Sequence, residues 1–116
     1  MYSRTIQIPG LSLPPVVRMA IERIALGYQP RQIWLYGSYA RGDFNQGSDL
    51  DLVIIKETTK KFPDRIEEVL QYAPRGIAVE PLVYTESEKN AMLRENNSFF
   101  KVVFSEGILV YEQKSR

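Results

Sequence analysis

The chain of 116 residues contains no cysteine and no histidine. The lack of cysteine excludes disulfide bonds and thiolate zinc sites. The lack of histidine removes the commonest general base and the commonest ligand of transition metals. Any chemistry must therefore use carboxylates, hydroxyls, lysine, arginine or tyrosine. This restriction favours phosphate chemistry assisted by a hard cation such as Mg²⁺ over most hydrolytic mechanisms.

A strong excess of one charge and long apolar runs are lacking as well. The formal net charge is only +1, so the composition gives no sign of stable nucleic-acid binding or of attraction to an anionic membrane. No apolar run approaches the length of a membrane span, and the N-terminus lacks the pattern of a signal peptide. We therefore expect a cytoplasmic protein, built as a single domain over residues 1–116.

The hydrophobic pattern predicts alternating helices and strands. The predicted strands are 32–36, 49–56, 77–84 and 108–111, and the predicted helices are 14–27, 38–41, 62–72, 86–94 and 98–105. Pro9-Gly10 predicts a turn, Ser12 is the expected cap of the first helix, and Gly27 is its expected end. Pro81 cannot donate a ladder hydrogen bond, so its strand should lie at a sheet edge or carry a bulge. Residues 85–88, Thr-Glu-Ser-Glu, have the pattern of a capping box.

The stretch from 36 to 55 carries the residues most suited to chemistry. Gly37-Ser38 follows an apolar strand directly, where a turn into a helix would offer backbone N–H groups to an anion such as phosphate. Asp49 and Asp51 stand one residue apart, so their side chains would project from one face of the next strand. Two like charges that close raise each other's pKa unless a cation lies between them. Together these features indicate a metal-dependent nucleotide site.

Two motifs in a fixed order carry a resemblance to a known family. The segment 37–42, Gly-Ser-Tyr-Ala-Arg-Gly, is followed after a short spacer by 48–52, Ser-Asp-Leu-Asp-Leu. An Asp-x-Asp pair alone also occurs in surface turns and in calcium loops. The combination resembles the signature of minimal nucleotidyltransferase domains in the DNA polymerase β superfamily, of the MntA-like antitoxin type. The resemblance implies an α/β (α+β) polymerase β-like fold, in which a small mixed β-sheet is flanked by helices.

The resemblance also implies a role for each matching residue. Asp49 and Asp51 would bind Mg²⁺ and connect it to the phosphates of ATP. The residues that hold the nucleotide would be Gly37, Ser38, Arg41 and Ser48. Arg41 could neutralise developing phosphate charge, or it could only tie the motif helix to its neighbours. The implied reaction is in-line attack by an acceptor hydroxyl on the α-phosphate, with release of pyrophosphate.

A third carboxylate usually completes such a site, and Glu80 is the candidate for it. Glu80 is the one acidic residue inside the predicted strand 77–84, where an unpaired buried carboxylate would be costly. In this position it would be the third catalytic residue and metal ligand. The family most often has aspartate here, so the longer side chain could also weaken catalysis. The alternative is that Glu80 is exposed at a sheet edge and has no role.

The acceptor of the transferred group follows from the resemblance alone. Many minimal domains of this family are antitoxins that transfer AMP to a tyrosine of a HEPN-type ribonuclease toxin, which implies a protein acceptor here. A rival hypothesis is a module that neutralises its partner by contact, for which we expect an exposed apolar surface in the segment 99–104. A third is transfer to a small-molecule hydroxyl, although the chain shows no second domain to hold one. An open cleft in so small a chain would also suit a homo-oligomer.

Overall fold

Strands and helices alternate along the parts of the chain that the computed structural model describes, residues 4–6 and 12–114. The strands are β1 (Arg4–Ile6), β2 (Gln32–Tyr36), β3 (Leu50–Ile55), β4 (Val79–Tyr84) and β5 (Ile108–Gln113). The helices are α1 (Pro15–Tyr28), α2 (Ser38–Arg41), α3 (Phe62–Leu70), α4 (Glu86–Arg94) and α5 (Ser98–Glu106). The turn predicted at Pro9-Gly10 lies outside the described residues. None of the described helices is both long enough and apolar enough to cross a membrane.

The strands form one mixed sheet in the order β1-β5-β2-β3-β4. Strands β3 and β4 are parallel and are connected through α3, because parallel neighbours need a crossover. The other neighbouring pairs are antiparallel. The mixed sheet confirms the predicted fold class. Because β4 lies at the edge of the sheet, the prediction from Pro81 is also confirmed.

Strand β3 is buried on both faces, and its alternating side chains divide the core in two. Leu50, Leu52 and Ile54 belong to a first cluster with residues of α1 and α3. Val53 and Ile55 belong to a second cluster with residues of α5 and, at its margin, α4. The apolar pattern of β3 predicted this arrangement, because a strand that is apolar on both faces needs helices on both. Asp51 lies on the face of the second cluster, since it alternates with Leu50 and Leu52.

Helix α1 begins and ends differently from the prediction. The prediction that Ser12 caps it is wrong: the N-cap residue is Pro14, and no side-chain capping bond is present there. The prediction that Gly27 ends it is also wrong, because the helix continues to Tyr28 and Gln29 takes the left-handed conformation at φ 54°. Gly27 serves packing instead. A Cβ atom at this position would collide with the ring of Tyr72.

The capping box predicted at Thr85–Glu88 is confirmed and is part of a larger polar connection. The Glu88 N–H donates to the Thr85 hydroxyl, and the Thr85 N–H donates to the Glu88 carboxylate. The same carboxylate accepts two bonds from the buried guanidinium of Arg65, at 2.7 and 3.1 Å. Arg65 also donates to the carbonyls of Lys60 and Val83. One arginine therefore fastens α3 to β4 and to the start of α4.

Replacing Arg65 by lysine should lower the free energy of unfolding at pH 7 by about 1–3 kcal/mol, because lysine lacks the forked geometry and leaves a buried carbonyl unpaired. Urea unfolding, followed by the fluorescence of Trp34, would measure the change. The control is Lys60→Met, which removes an exposed ion pair with Glu68 and keeps the Lys60 carbonyl. The control should leave the stability nearly unchanged.

The ion pair of Arg65 and Glu88 should also make the stability of the protein depend on pH. The hydrogen bonds from Arg65 lower the pKa of Glu88 below its ordinary value of 4.5. Stability from this pair is therefore fully present above that ordinary value and is lost as the pH falls through the lowered pKa. The difference between the wild type and Arg65→Lys should shrink in acid. A difference that stayed constant down to acid unfolding would contradict the assignment.

Candidate active site

The turn between β2 and α2 depends on glycine. Gly37 has φ 78° and ψ −154°, a combination that is almost confined to glycine. The N–H groups of Ala40 and Arg41 bond back to the Gly37 carbonyl, which forms the single turn of α2. The N–H groups of Ser38 and Tyr39 lie in the first turn of α2, ahead of the N–H groups that bond within the helix, and such a position favours an anion. The helix ends at Gly42, which has φ 90°.

Gly37 is also the point at which the two motifs meet. Strands β2 and β3 pair antiparallel so that Tyr36 lies opposite Asp51. The carboxylate of Asp51 consequently lies against Gly37, and a Cβ atom on Gly37 would overlap with it. The missing side chain of Gly37 therefore makes room for Asp51.

The three predicted carboxylates lie at one end of the parallel strand pair. Asp51 is the register partner of Glu80, and Asp49 immediately precedes β3. The pKa of Glu80 is raised, chiefly because its carboxyl group shares a hydrogen bond with Asp49. Burial raises the pKa of Asp51, the charge of Asp49 raises it further, and the charge of Arg41 partly opposes both. The structure thus places Asp49, Asp51 and Glu80 at the same end of the strand pair, and the charges of the neighbouring carboxylates raise the pKa of Asp51 and of Glu80.

This group of side chains fits a hard divalent cation by its chemistry, because it consists of oxygen donors whose mutual repulsion a cation would relieve. Within the described residues, however, no three Asp, Glu, His or Cys side chains stand close enough to hold a metal ion. Glu80 turns towards Asp49, while Asp51 lies against Gly37. The assignment of Asp49, Asp51 and Glu80 as Mg²⁺ ligands stays a prediction.

Arg41 and Ser48 mainly shape the loop between α2 and β3. The Arg41 guanidinium is exposed and pairs with Asp43 at 3.2 Å. The Ser48 hydroxyl accepts a bond from the Asn45 N–H at 2.9 Å, and the Asn45 side chain accepts one from the Gly47 N–H at 2.8 Å. The loop that delivers Asp49 is therefore held by its own short-range bonds. The nucleotide-binding roles of Arg41 and Ser48 stay predictions.

Tyr36 adjoins the carboxylates and Phe99 packs against Tyr36, and neither was among the residues predicted for the site. Burial raises the pKa of Tyr36 to about 12, and Asp51, Tyr84 and Glu80 contribute to the shift. The ring of Phe99, at the start of α5, packs edge-on against Tyr36 with centroids 5.5 Å apart. Strand alternation could have placed Tyr36 on the face of Asp51. The position of Phe99 depends on a tertiary contact that no local pattern encodes.

A cavity of about 640 Å³ opens on the other side of the loop that carries Ser48 and Asp49. One part of its lining is apolar and consists of Val16, Ile77 and the stacked rings of Tyr39 and Phe44. The other part is polar and comes from the loop 45–49. Val16, Ile77 and the two rings belong to the first core cluster or pack against it. The cavity therefore lies towards the face of the sheet opposite to Asp51.

Comparison with known proteins identifies the class. The family described as nucleotidyltransferase domain matches residues 17–104, which include both motifs and Glu80. The chain therefore belongs to the nucleotidyltransferase domain family, which confirms the family prediction and makes a nucleotidyltransferase activity the expected one.

Two named proteins and one solved structure are similar to this chain. Two proteins of Methanocaldococcus jannaschii, each named "Putative protein adenylyltransferase", are both 32% identical to this chain. One match spans 72 residues, which are 59% of this chain and 73% of the relative. The other match spans 83 residues, which are 70% of this chain and 78% of the relative. A crystal structure titled as a putative nucleotidyltransferase from Sulfolobus solfataricus superposes with a TM-score of 0.52. At 21% identity over 86% of this chain and 90% of that one, it supports the fold alone.

Replacing Gly37 by alanine should abolish nucleotidyl transfer as well as destabilise the protein, because the new Cβ atom displaces the Asp51 carboxylate. Backbone strain should contribute about 1–3 kcal/mol to the loss of stability. Gly42→Ala is the matched control, since Gly42 also has a positive φ but a Cβ atom there meets nothing within 4 Å. The control should lose stability and keep transfer, measured with nucleotide labelled at the α-phosphate. Equal loss of transfer in both variants would contradict the proposed spacing role.

Asp51→Asn should raise the melting temperature while it lowers transfer by about two orders of magnitude or more. The pKa of Asp51 is raised in the folded protein, so its ionised form is less favourable there than in the unfolded chain. The neutral amide of asparagine removes this penalty at neutral pH. The resulting gain in melting temperature should vanish as the pH falls through the raised pKa of Asp51. Asp64→Asn, which removes an exposed carboxylate in the first turn of α3, is the control and should not raise the melting temperature. Calorimetry at several pH values would test the sign.

Proposed function

We propose that this chain is a Mg²⁺-dependent protein adenylyltransferase, which transfers AMP from ATP to a hydroxyl of a HEPN-type toxin and acts as the antitoxin of that pair. The observation that carries the proposal is that Asp51 lies against Gly37 and is the register partner of Glu80, whose carboxyl group interacts with Asp49. The family membership supports nucleotidyl transfer, and the printed name of the two archaeal relatives supports a protein acceptor. The HEPN partner comes from the resemblance of the two motifs.

The residues around the site would have different roles in the reaction, according to their positions. A triphosphate at the start of α2 would meet the N–H groups of Ser38 and Tyr39, and Arg41 would add positive charge nearby. Asp49 and Asp51 would hold the metal. Magnesium, when bound, offsets phosphate charge and orients the α-phosphate. The chain's part is then to position the nucleotide for attack in line with the leaving group.

Glu80 is suited to accept the proton of the attacking hydroxyl. It is exposed on the edge strand β4, where an acceptor hydroxyl can reach its carboxylate, and it lies beside the predicted metal-binding carboxylates. In the proposed reaction the hydroxyl oxygen forms a bond to the α-phosphorus while the bond to the bridging oxygen breaks. Pyrophosphate leaves with that oxygen, and the hydroxyl proton passes to the Glu80 carboxylate. AMP stays joined to the acceptor.

A second candidate is a module that neutralises its partner by binding, with weak or lost catalysis. Two observations favour it: Glu80 pairs with Asp49 in place of a three-carboxylate cluster, and α5 exposes Phe99 and Val102. Both hypotheses predict a complex with the partner. Only the first predicts that inhibition of the partner depends on the carboxylates.

The deciding experiment incubates the protein with ATP labelled at the α-phosphate and Mg²⁺, with and without a HEPN protein, for which the product of the adjacent gene would be tried first. Label should appear on the HEPN protein and should be absent with Asp49→Asn/Asp51→Asn. The matched control is Asp64→Asn/Glu67→Gln, which removes two exposed carboxylates from α3 and should keep full transfer. If the Asp49/Asp51 variant still inhibits the partner without labelling it, the protein acts by binding. Label on neither protein, with no inhibition, would reject both hypotheses.

A further inference from the structure

The face of the sheet that carries the carboxylates also carries a row of aromatic side chains. Asp51 alternates with Val53 and Ile55 along β3, and Glu80 alternates with Leu82 and Tyr84 along β4. The apolar members of these rows belong to the second core cluster or border it, under α5. A nucleotide held by the carboxylates therefore lies next to α5.

Phe99, in the first turn of α5, stays partly exposed on the face of the sheet that carries the carboxylates. Its side chain is 38% exposed, although its ring packs against Tyr36, the register partner of Asp51. The next residue, Phe100, is fully buried. An exposed phenylalanine ring thus stands one aromatic ring away from a catalytic carboxylate.

The local backbone fixes the position of Phe99. Asn96 has φ 58° and reverses the chain between α4 and α5. Asn97 caps α5, because its side-chain oxygen accepts a bond from the Phe100 N–H at 3.1 Å. The buried ring of Phe100 then anchors this first turn against Tyr84, with centroids 4.7 Å apart. The ring of Phe99 is therefore held in place before any ligand binds, which lowers the entropic cost of binding to it.

We infer that the exposed face of the Phe99 ring is the surface on which the nucleobase of the bound nucleotide stacks. The inference rests on the proposed function, because it needs a triphosphate at the Gly37 turn. In a nucleotide the base is one ribose away from the α-phosphate, and Phe99 packs against Tyr36, the register partner of Asp51. Stacking on an aromatic side chain tolerates every base, since each base has a π-face.

The large cavity is the competing location for the base. It adjoins Asp49 and offers the rings of Tyr39 and Phe44. These rings, however, pack with the first core cluster, whereas Asp51 and Glu80 project from the other face of the sheet. The geometry favours Phe99.

Equilibrium binding with Mg²⁺, in the absence of acceptor, tests this inference without any need for transfer. Two ligands are compared: ATP, which has a base, and inorganic tripolyphosphate, which has none. Phe99→Leu keeps an apolar side chain of similar volume and removes the π-face. It should weaken ATP and GTP roughly five- to hundredfold, as expected for the loss of one stacked base, and leave tripolyphosphate unchanged. Phe99→Tyr should restore binding.

Two matched controls locate the effect. Val102→Ala changes another exposed apolar side chain of α5, and Gln46→Ala changes a residue that lines the cavity. Neither should alter the affinity for ATP. Thermal unfolding of each variant would verify that the fold is intact.

Four other results would overturn the inference, and each would have a different meaning. Equal weakening of ATP and tripolyphosphate by Phe99→Leu would mean that Phe99 only supports the fold of the site. Weakening by Gln46→Ala with no effect of Phe99→Leu would place the base in the cavity. Unchanged ATP binding with a raised KM for the protein acceptor would assign Phe99 to the acceptor. Wild-type protein that binds neither ligand would reject the proposed function itself.

Discussion

The contact between Gly37 and the carboxylate of Asp51 is the constraint on which the site depends. The two residues belong to different motifs, and the antiparallel register of β2 and β3 brings them together. A glycine at this point provides both the backbone conformation of the turn and the space for the carboxylate. The Gly37 turn and the strand that carries Asp51 are therefore one unit, since neither can shift without displacing the other.

Gathering three carboxylates at one end of β3 and β4 costs stability, and the rest of the fold offsets that cost. Strand β3 contributes to buried clusters on both faces of the sheet, so its position is fixed by packing on two sides. Strand β4 is held at its far end, where Arg65 bonds to the Val83 carbonyl and to Glu88. Glu80 lies near the beginning of the same strand. The strand is thus anchored at one end and carries its unfavourable charge at the other, a division common in functional sites.

The elements of the fold were largely predictable from the sequence because their signals are local. Alternation along β3, the capping box at Thr85 and the proline of β4 each correspond to a feature of the structure. Signals that several residues could satisfy were less reliable: Ser12 and Gly27 both had the right chemistry for helix ends, yet Pro14 and Gln29 take those positions. In the site, the motifs predicted Asp49 and Asp51, the predicted strand 77–84 supplied Glu80, and the roles of all three stay predictions. The bond between Asp49 and Glu80 and the contact of Phe99 with Tyr36 depend on register and helix packing, which no short pattern encodes.

The edge position of β4 has a consequence for the proposed reaction. Pro81 lacks an N–H group, which hinders the addition of another strand to this edge. The exposed side chain of Glu80 immediately before it therefore stays accessible from the side. In the proposed complex the triphosphate would lie at the start of α2 and the base against α5, so the open edge would be the direction that the nucleotide leaves free. An acceptor hydroxyl approaching from there would meet the exposed carboxylate of Glu80, which would take its proton. In this arrangement the proline of the edge strand protects access for the acceptor, and a large protein can present its hydroxyl without entering a deep cleft.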